Sequence, residues 1–198
     1  AQLGEEERSR GVVTASAGNH AQGVALAAQY LGIKATIVMP KTTPEIKINA
    51  VRARGAQVVL HGEAFPQALA HSLELVEQQG YVYIHPYDDP DVIAGQGTIA
   101  MEILRQHQGD LHAIFVPCGG GGLLAGSALA AHELAPGCRV YGVEPAAGDD
   151  GRRSFVSGAI VNIAPPHTIA DRCANTAPGP AHVSHHPARG SGYPHCHG

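Results

Sequence analysis

Basic charge, aromatic side chains and long apolar runs are all scarce in this chain of 198 residues. Lysine and arginine total 13 against 17 acidic residues, for a formal net charge of -4, and the cations form no run. Aromatics make up only 5%. Nucleic acid is therefore not an expected partner, because binding it takes clustered cations that displace counterions. The longest apolar stretches, such as Ala113–Pro117 and Leu123–Ala131, are far too short to span a bilayer, so no membrane partner is expected. Gly4-Glu5-Glu6-Glu7-Arg8 is acidic and has no apolar segment beside it, so no signal peptide is expected there. The four cysteines, Cys118, Cys138, Cys173 and Cys196, are scattered and do not make a disulfide framework. A cytoplasmic protein is the expectation. What the chain does have is 44% hydrophobic residues, enough for a core in one domain or two small ones.

From Gly11 to about Glu144, short β-branched runs alternate with helical patterns. Strands are predicted at 12–14, 35–39, 57–60, 81–84, 113–116 and 139–143. Helices are predicted at 21–31, 65–79, 96–106 and 123–134, with another opened by Thr43 as N-cap and Pro44 at its first position, and Gly55 past its end. Strands separated by helices of this length imply crossover connections and a parallel sheet covered on both faces. The fold class is open α/β.

Ligands of open α/β sheets sit where strands lead into helices at the carboxyl edge. Ser16-Ala17-Gly18-Asn19-His20 is one such junction. Its small residues could turn backbone N–H groups toward an anion at the helix start, or form an ordinary turn capped by Asn19; spacing alone leaves both readings open. Gly119-Gly120-Gly121-Gly122, after Val116-Pro117-Cys118, is the second. Four glycines in a row are entropically costly to order, and what they supply is an unobstructed row of N–H donors. No lysine follows, so this is not a P-loop. A phosphate cradle is favoured over a tight turn. Gly95-Gln96-Gly97-Thr98 reads as a third glycine-rich helix start, explained by packing of the helix against a sheet.

The segments 16–23, 37–40, 92–98 and 116–123, in this order and spacing, resemble the threonine/serine dehydratase and serine racemase family. The resemblance runs from about Gly11 to Asp171. It implies a fold-type-II pyridoxal-phosphate architecture, with residues 1–88 as the small domain plus a stub of preceding chain and 89–171 as part of the large domain. It implies that Gly119, Gly120, Gly121, Gly122 and Leu123 hold the cofactor phosphate. Asn19 would bond the phenolic oxygen of the cofactor ring, and Ser16, Ala17, Gly18, Asn19 and His20 the substrate carboxylate. The implied activity of the complete enzyme, a homo-oligomer, is a dehydratase that converts L-threonine, L-serine or a related β-hydroxy amino acid to a 2-oxo acid and ammonia. Serine racemase and threo-3-hydroxyaspartate dehydratase stand as alternatives. A non-catalytic cofactor- or phosphate-binding fragment is an alternative of another class.

Glu144-Pro145-Ala146-Ala147-Gly148-Asp149-Asp150 holds carboxylates that could converge on a hard cation, or form a solvated acidic loop. The resemblance favours the first, with Mg²⁺ or Mn²⁺ held by the Glu144 carboxylate, the Gly148 carbonyl and the Asp150 carboxylate. Two departures from the family matter. Racemising relatives carry a proton-exchanging serine where this chain has Ala17, which argues for elimination. The family's cofactor-anchoring lysine lies in a Ser-Phe-Lys motif upstream of the Ser16 loop. No lysine precedes Ser16 here, and Lys34, Lys41 and Lys47 do not match the motif. The expectation is a chain without its covalent anchor and general base, inactive by itself.

From Arg172 onward the apolar periodicity stops. His182, His185, His186, His195, Cys196 and His197 match no paired zinc spacing. Family members continue Thr168-Ile169-Ala170-Asp171 with a peptide such as Gly-Ala-Gln-Thr-Gln-His-Leu-Gly. One base inserted before its codons can yield Arg-Cys-Ala-Asn-Thr-Ala-Pro-Gly, the run from Arg172 to Gly179. Residues 172–198 are thus expected to be a frameshifted tail that is disordered and carries no metal site.

Overall fold

A computed structural model describes residues 3–164, 166–170 and 177–180. The chain divides into two compact units, Ala1–Pro86 and Tyr87–Gly198.

The first unit opens with a helix that the apolar pattern does not mark, α1 (Glu5–Arg10). Glutamates fill its first turn and Arg8 and Arg10 its last, the arrangement that suits the helix dipole. Next come β1 (Val12–Ala15), α2 (Asn19–Leu31), β2 (Ala35–Met39), α3 (Glu45–Arg52), β3 (Gln57–Leu60), α4 (Phe65–Gln79) and β4 (Val82–Tyr83). The four strands form a parallel sheet in the order β3-β2-β1-β4. β1 and β2 are buried along their whole length, as continuous β-branched runs require. Strand side chains alternate between faces. Val12, Ile37 and Met39 pack with Ala21, Ala25 and Ala28 of α2 and Ile48 and Val51 of α3, while Val13 and Val38 pack with Ala68 and Leu75 of α4. Helices therefore cover both faces, as expected.

The second unit contains α5 (Pro90–Gln106), β5 (Ala113–Pro117), α6 (Gly122–Leu134), β6 (Arg139–Val143) and α7 (Asp150–Ser157). β5 and β6 are parallel, from Ala113 opposite Arg139 to Pro117 opposite Val143, with α6 as the crossover. Phe115 is 69% exposed and stacks on Tyr141. Two-sided cover thus holds for the first sheet but not for this pair among the described residues.

Two helix starts differ from expectation. Thr43 makes no cap: Pro44, extended at ψ 138°, occupies the cap position and helical geometry begins at Glu45. The Thr43 hydroxyl is buried without a hydrogen-bond partner. α5 begins at Pro90 rather than Gln96, because the Asp89 carboxylate accepts from the Val92 N–H at 3.0 Å and Pro90 suits the first turn. Gly95-Gln96-Gly97-Thr98 consequently lies inside a helix and is not a helix start. Gly97 packs on α6, not on a sheet: a Cβ there would lie 2.9 Å from the Gly126 carbonyl oxygen. Cys118 and Cys138 are buried, and the Cys118 thiol donates to the Gly119 carbonyl at 3.8 Å. Among the described residues no helix is long and apolar enough to cross a membrane. Cys173, Cys196 and the tail histidines lie outside the described residues, as does the tail as a whole apart from 177–180.

Candidate active site

In the first sheet the chain runs from β1 to β2 and β3 on one side, then returns to place β4 on the other. The connection direction reverses between β1 and β4, so a crevice opens at their carboxyl ends. Ser16, Ala17 and Gly18 occupy the exit from β1. The Ser16 N–H donates to the Val38 carbonyl at 3.1 Å, extending the β1–β2 ladder by one residue. The buried Ser16 hydroxyl oxygen accepts from the Gly18 N–H at 3.2 Å. α2 then starts at Asn19, with Gly18 at its cap position and no side chain capping it, and the first N–H groups of a helix have no acceptor within the helix. Asn19 is exposed. His20 pins this turn across the crevice: its Nε2 lies 3.1 Å from the Thr14 hydroxyl and 3.2 Å from the carbonyl of Ile84, just past β4. A carbonyl only accepts, so Nε2 carries the hydrogen. The five residues singled out from the sequence, Ser16 to His20, are contiguous at this crevice; the pinning role of His20 has no signature in the sequence.

The second unit carries the glycine loop at the carboxyl end of β5. The Cys118 N–H donates to the Val143 carbonyl at 2.9 Å, continuing the β5–β6 ladder. Gly121 follows at φ +92°, caps α6, and accepts from the Ala125 N–H at 2.9 Å. Few L-residues tolerate that φ. Gly120 and Gly122 are glycines for a different reason: Tyr87. A Cβ on Gly120 would fall 2.2 Å from Tyr87 Cγ, and one on Gly122 would fall 2.6 Å from the Tyr87 carbonyl oxygen. Leu123 is half-buried in the first turn of α6. From outside, the Gly179 N–H donates to the Gly120 carbonyl at 3.1 Å. A backbone loop without side chains at a helix N-terminus fits the phosphate of a cofactor in the chemistry of its donors.

The acidic segment lies beyond β6. Both Glu144 carboxylate oxygens accept from the start of α7, Oε1 from Gly151 N–H at 3.1 Å and Oε2 from Arg152 N–H at 2.9 Å. Asp150 is almost wholly buried, and its Oδ2 has no hydrogen-bond partner. Burial pushes the Glu144 carboxyl up, and the Asp150 carboxylate adds to this against the two N–H donors. Burial also raises Asp150, with help from Asp149. The Gly148 N–H donates to the Pro145 carbonyl at 2.8 Å. No cluster of three or more His, Cys, Asp or Glu side chains able to hold a metal occurs among the described residues. The predicted set has two carboxylates and one carbonyl, and Asp150 Oδ2 is the oxygen that accepts no hydrogen bond.

None of the three nearby lysines occupies the crevice exit itself. Lys34 is exposed at the amino end of β2, Lys41 is exposed just past its carboxyl end, and Lys47 lies in α3.

A family model described as pyridoxal-phosphate-dependent enzyme matches residues 1–193. The chain is 52% identical over 169 residues to an L-threo-3-hydroxyaspartate ammonia-lyase of Saccharomyces cerevisiae, a match covering 85% of this chain and 52% of that protein. It is 51% identical over 170 residues to a serine racemase of Schizosaccharomyces pombe, covering 86% and 52%. Among solved structures, the processed form of threonine deaminase isoform 2 from Solanum lycopersicum superposes with a TM-score of 0.88 at 50% identity, covering 93% of this chain and 50% of that one. The chain thus spans about half the length of these relatives. The α/β architecture is that of fold-type-II enzymes. With half or more of its sequence shared at the matched positions, this chain belongs to the pyridoxal-phosphate-dependent enzyme family.

Proposed function

We propose that this chain forms the cofactor- and substrate-holding part of an ammonia-lyase that dehydrates L-threonine, L-serine or a related β-hydroxy amino acid. The observation that carries the reading is the glycine loop, where Tyr87 occupies the side-chain space at Gly120 and Gly122 and leaves backbone donors for a phosphate. Gly119, Gly120, Gly121, Gly122 and Leu123 would hold the phosphate of pyridoxal phosphate, and Asn19 its phenolic oxygen. Bound there, the cofactor supplies a ring that accepts the electron pair left at the substrate Cα when its proton departs. Ser16, Ala17, Gly18, Asn19 and His20 would orient the substrate carboxylate through hydroxyl and backbone donors, with His20 keeping the turn in place. The methyl side chain of Ala17 has no exchangeable proton, which supports elimination over racemisation. Relatives named as a hydroxyaspartate ammonia-lyase and a serine racemase keep those two activities as alternatives.

The test is an assay on the chain extended to the length of its relatives. It should release a 2-oxo acid and ammonia in equal amounts from an L-β-hydroxy amino acid, and a bulky residue at Asn19 or Gly120 should weaken cofactor retention on dialysis. Racemisation without ammonia release would contradict the reading. Cofactor retained with no turnover of any β-hydroxy amino acid would favour a binding module instead.

A divalent cation, Mg²⁺ or Mn²⁺, at Glu144, Gly148 and Asp150 is the second reading, supported by the buried, unpartnered Asp150 Oδ2. A cation that binds only the folded chain raises its melting temperature. Millimolar Mg²⁺ should do so in the parent and not in Asp150→Ala. An equal shift in both would refute the site.

A further inference from the structure

We propose that Tyr87 is a positioning residue for the glycine loop: its ring lies flat on Gly120 and its backbone abuts Gly122, holding the loop in the shape that presents N–H groups to an anion. The inference rests on reading Gly119–Gly122 as a phosphate cradle. The Cβ position at Gly120 is 2.2 Å from Tyr87 Cγ and 2.4 Å from both Cδ1 and Cδ2, distances that place it over the face of the ring. The Cβ position at Gly122 is 2.6 Å from the Tyr87 carbonyl oxygen and 3.1 Å from its Cα. These contacts are too short for any side chain, so glycine at both positions follows from where Tyr87 sits.

A run of glycines has wide conformational freedom, whereas an anion held by backbone donors needs those donors fixed before it arrives. Hydrogen bonds secure the two ends of the loop, from Cys118 to Val143 and from Ala125 to Gly121. Between those ends the Gly120 carbonyl also accepts from the Gly179 N–H, and the contact spanning both Gly120 and Gly122 is Tyr87. Tyr87 precedes α5, whose Gly97 meets Gly126 of α6 backbone to backbone. The ring is therefore held from the same helix pair that carries the loop.

The experiment uses the 198-residue chain with Tyr87→Phe, Tyr87→Ala, Gly120→Ala and the Tyr87→Ala/Gly120→Ala double variant. Amide hydrogen exchange at Gly120–Gly122 reads the shape of the loop, and phosphorus NMR reads the binding of inorganic phosphate. Tyr87→Phe keeps the flat ring and should match the parent in both. Tyr87→Ala should accelerate exchange and weaken phosphate binding, each about tenfold, comparable to one backbone hydrogen bond lost. Gly120 is not in the left-handed region, so alanine is admissible there once the ring is gone. Gly120→Ala should therefore lower the melting temperature in the parent but not in Tyr87→Ala, the signature of direct coupling. Unchanged exchange in Tyr87→Ala, or the same loss from Gly120→Ala in both backgrounds, would overturn the proposal. Should Tyr87→Ala fail to fold, Tyr87→Leu, which keeps bulk without a flat face, is read by amide exchange at Gly120–Gly122 alone, where an unchanged rate would overturn the proposal. A parent that binds no phosphate would refute the cradle reading, while exchange and coupling would still decide the role of Tyr87.

Discussion

The Tyr87 phenol is held above the ordinary tyrosine range by burial first, then by the carboxylates of Asp88 and Asp150. Its neutral form is the one the fold favours, so the folded chain keeps that proton to higher pH than the unfolded chain does. This contribution to stability is fully present below the ordinary tyrosine pKa of about 10 and is lost as pH rises through the folded value. Tyr87→Phe removes the ionisable group, so urea midpoints of this variant should fall less than those of the parent between about pH 9 and pH 11. Parallel curves would show that the phenol does not contribute.

At the scale of elements, α5 and α6 meet through glycines. A Cβ on Gly126 would lie 2.3 Å from the Ile93 carbonyl oxygen and 2.6 Å from the Gly97 nitrogen, both backbone atoms that cannot rotate away. Gly126→Ala should therefore destabilise the chain by about 1–3 kcal/mol through overpacking, outweighing the roughly 1 kcal/mol that alanine contributes to a helix interior. Gly95 lies in the same helix as Gly97, is exposed, and would meet nothing within 4 Å. Gly95→Ala should stabilise the chain by up to about 1 kcal/mol. Thermal melts of the two variants should move in opposite directions; a gain from Gly126→Ala would mean that the helices separate at little cost. Sequence patterning foresaw α4 at its observed bounds and the strands β2, β3 and β6, because their apolar residues follow helical or strand periods. It missed the start of α5, where the Asp89 cap and Pro90 outweigh the weak pattern around Gly95. α1 escaped it for a related reason: the helix buries no residue and so leaves no apolar stripe to read.

At the scale of the whole chain, the prediction concerns covalent capture of the cofactor. The chain spans about half the length of its relatives, and neither Lys34, Lys41 nor Lys47 sits in the motif expected of the anchoring lysine. Pyridoxal phosphate followed by borohydride and peptide mapping should label no single lysine of this chain stoichiometrically. Selective labelling of Lys41, the exposed lysine just past the carboxyl end of β2, would contradict the expectation most directly.

The amino-acid sequence by itself determined the α/β alternation, the two strand-to-helix loops and the family, because each is a matter of local period, turn chemistry or ordered motifs along the chain. Ser16–His20 and Gly119–Gly122 were legible for that reason. Only the tertiary structure decided what those loops rest on. The hold of His20 on Ile84 joins residues 64 positions apart, and Tyr87 meets Gly120 although α5 and β5 lie between them in the chain. Such contacts arise when a parallel sheet brings distant strand ends to one edge and when helices cross backbone to backbone, and neither leaves a periodic trace in sequence. The glycines themselves show the division: their presence is written in the chain, but whether each answers a backbone angle, as Gly121 does, or a neighbour's ring, as Gly120 does, is fixed by packing.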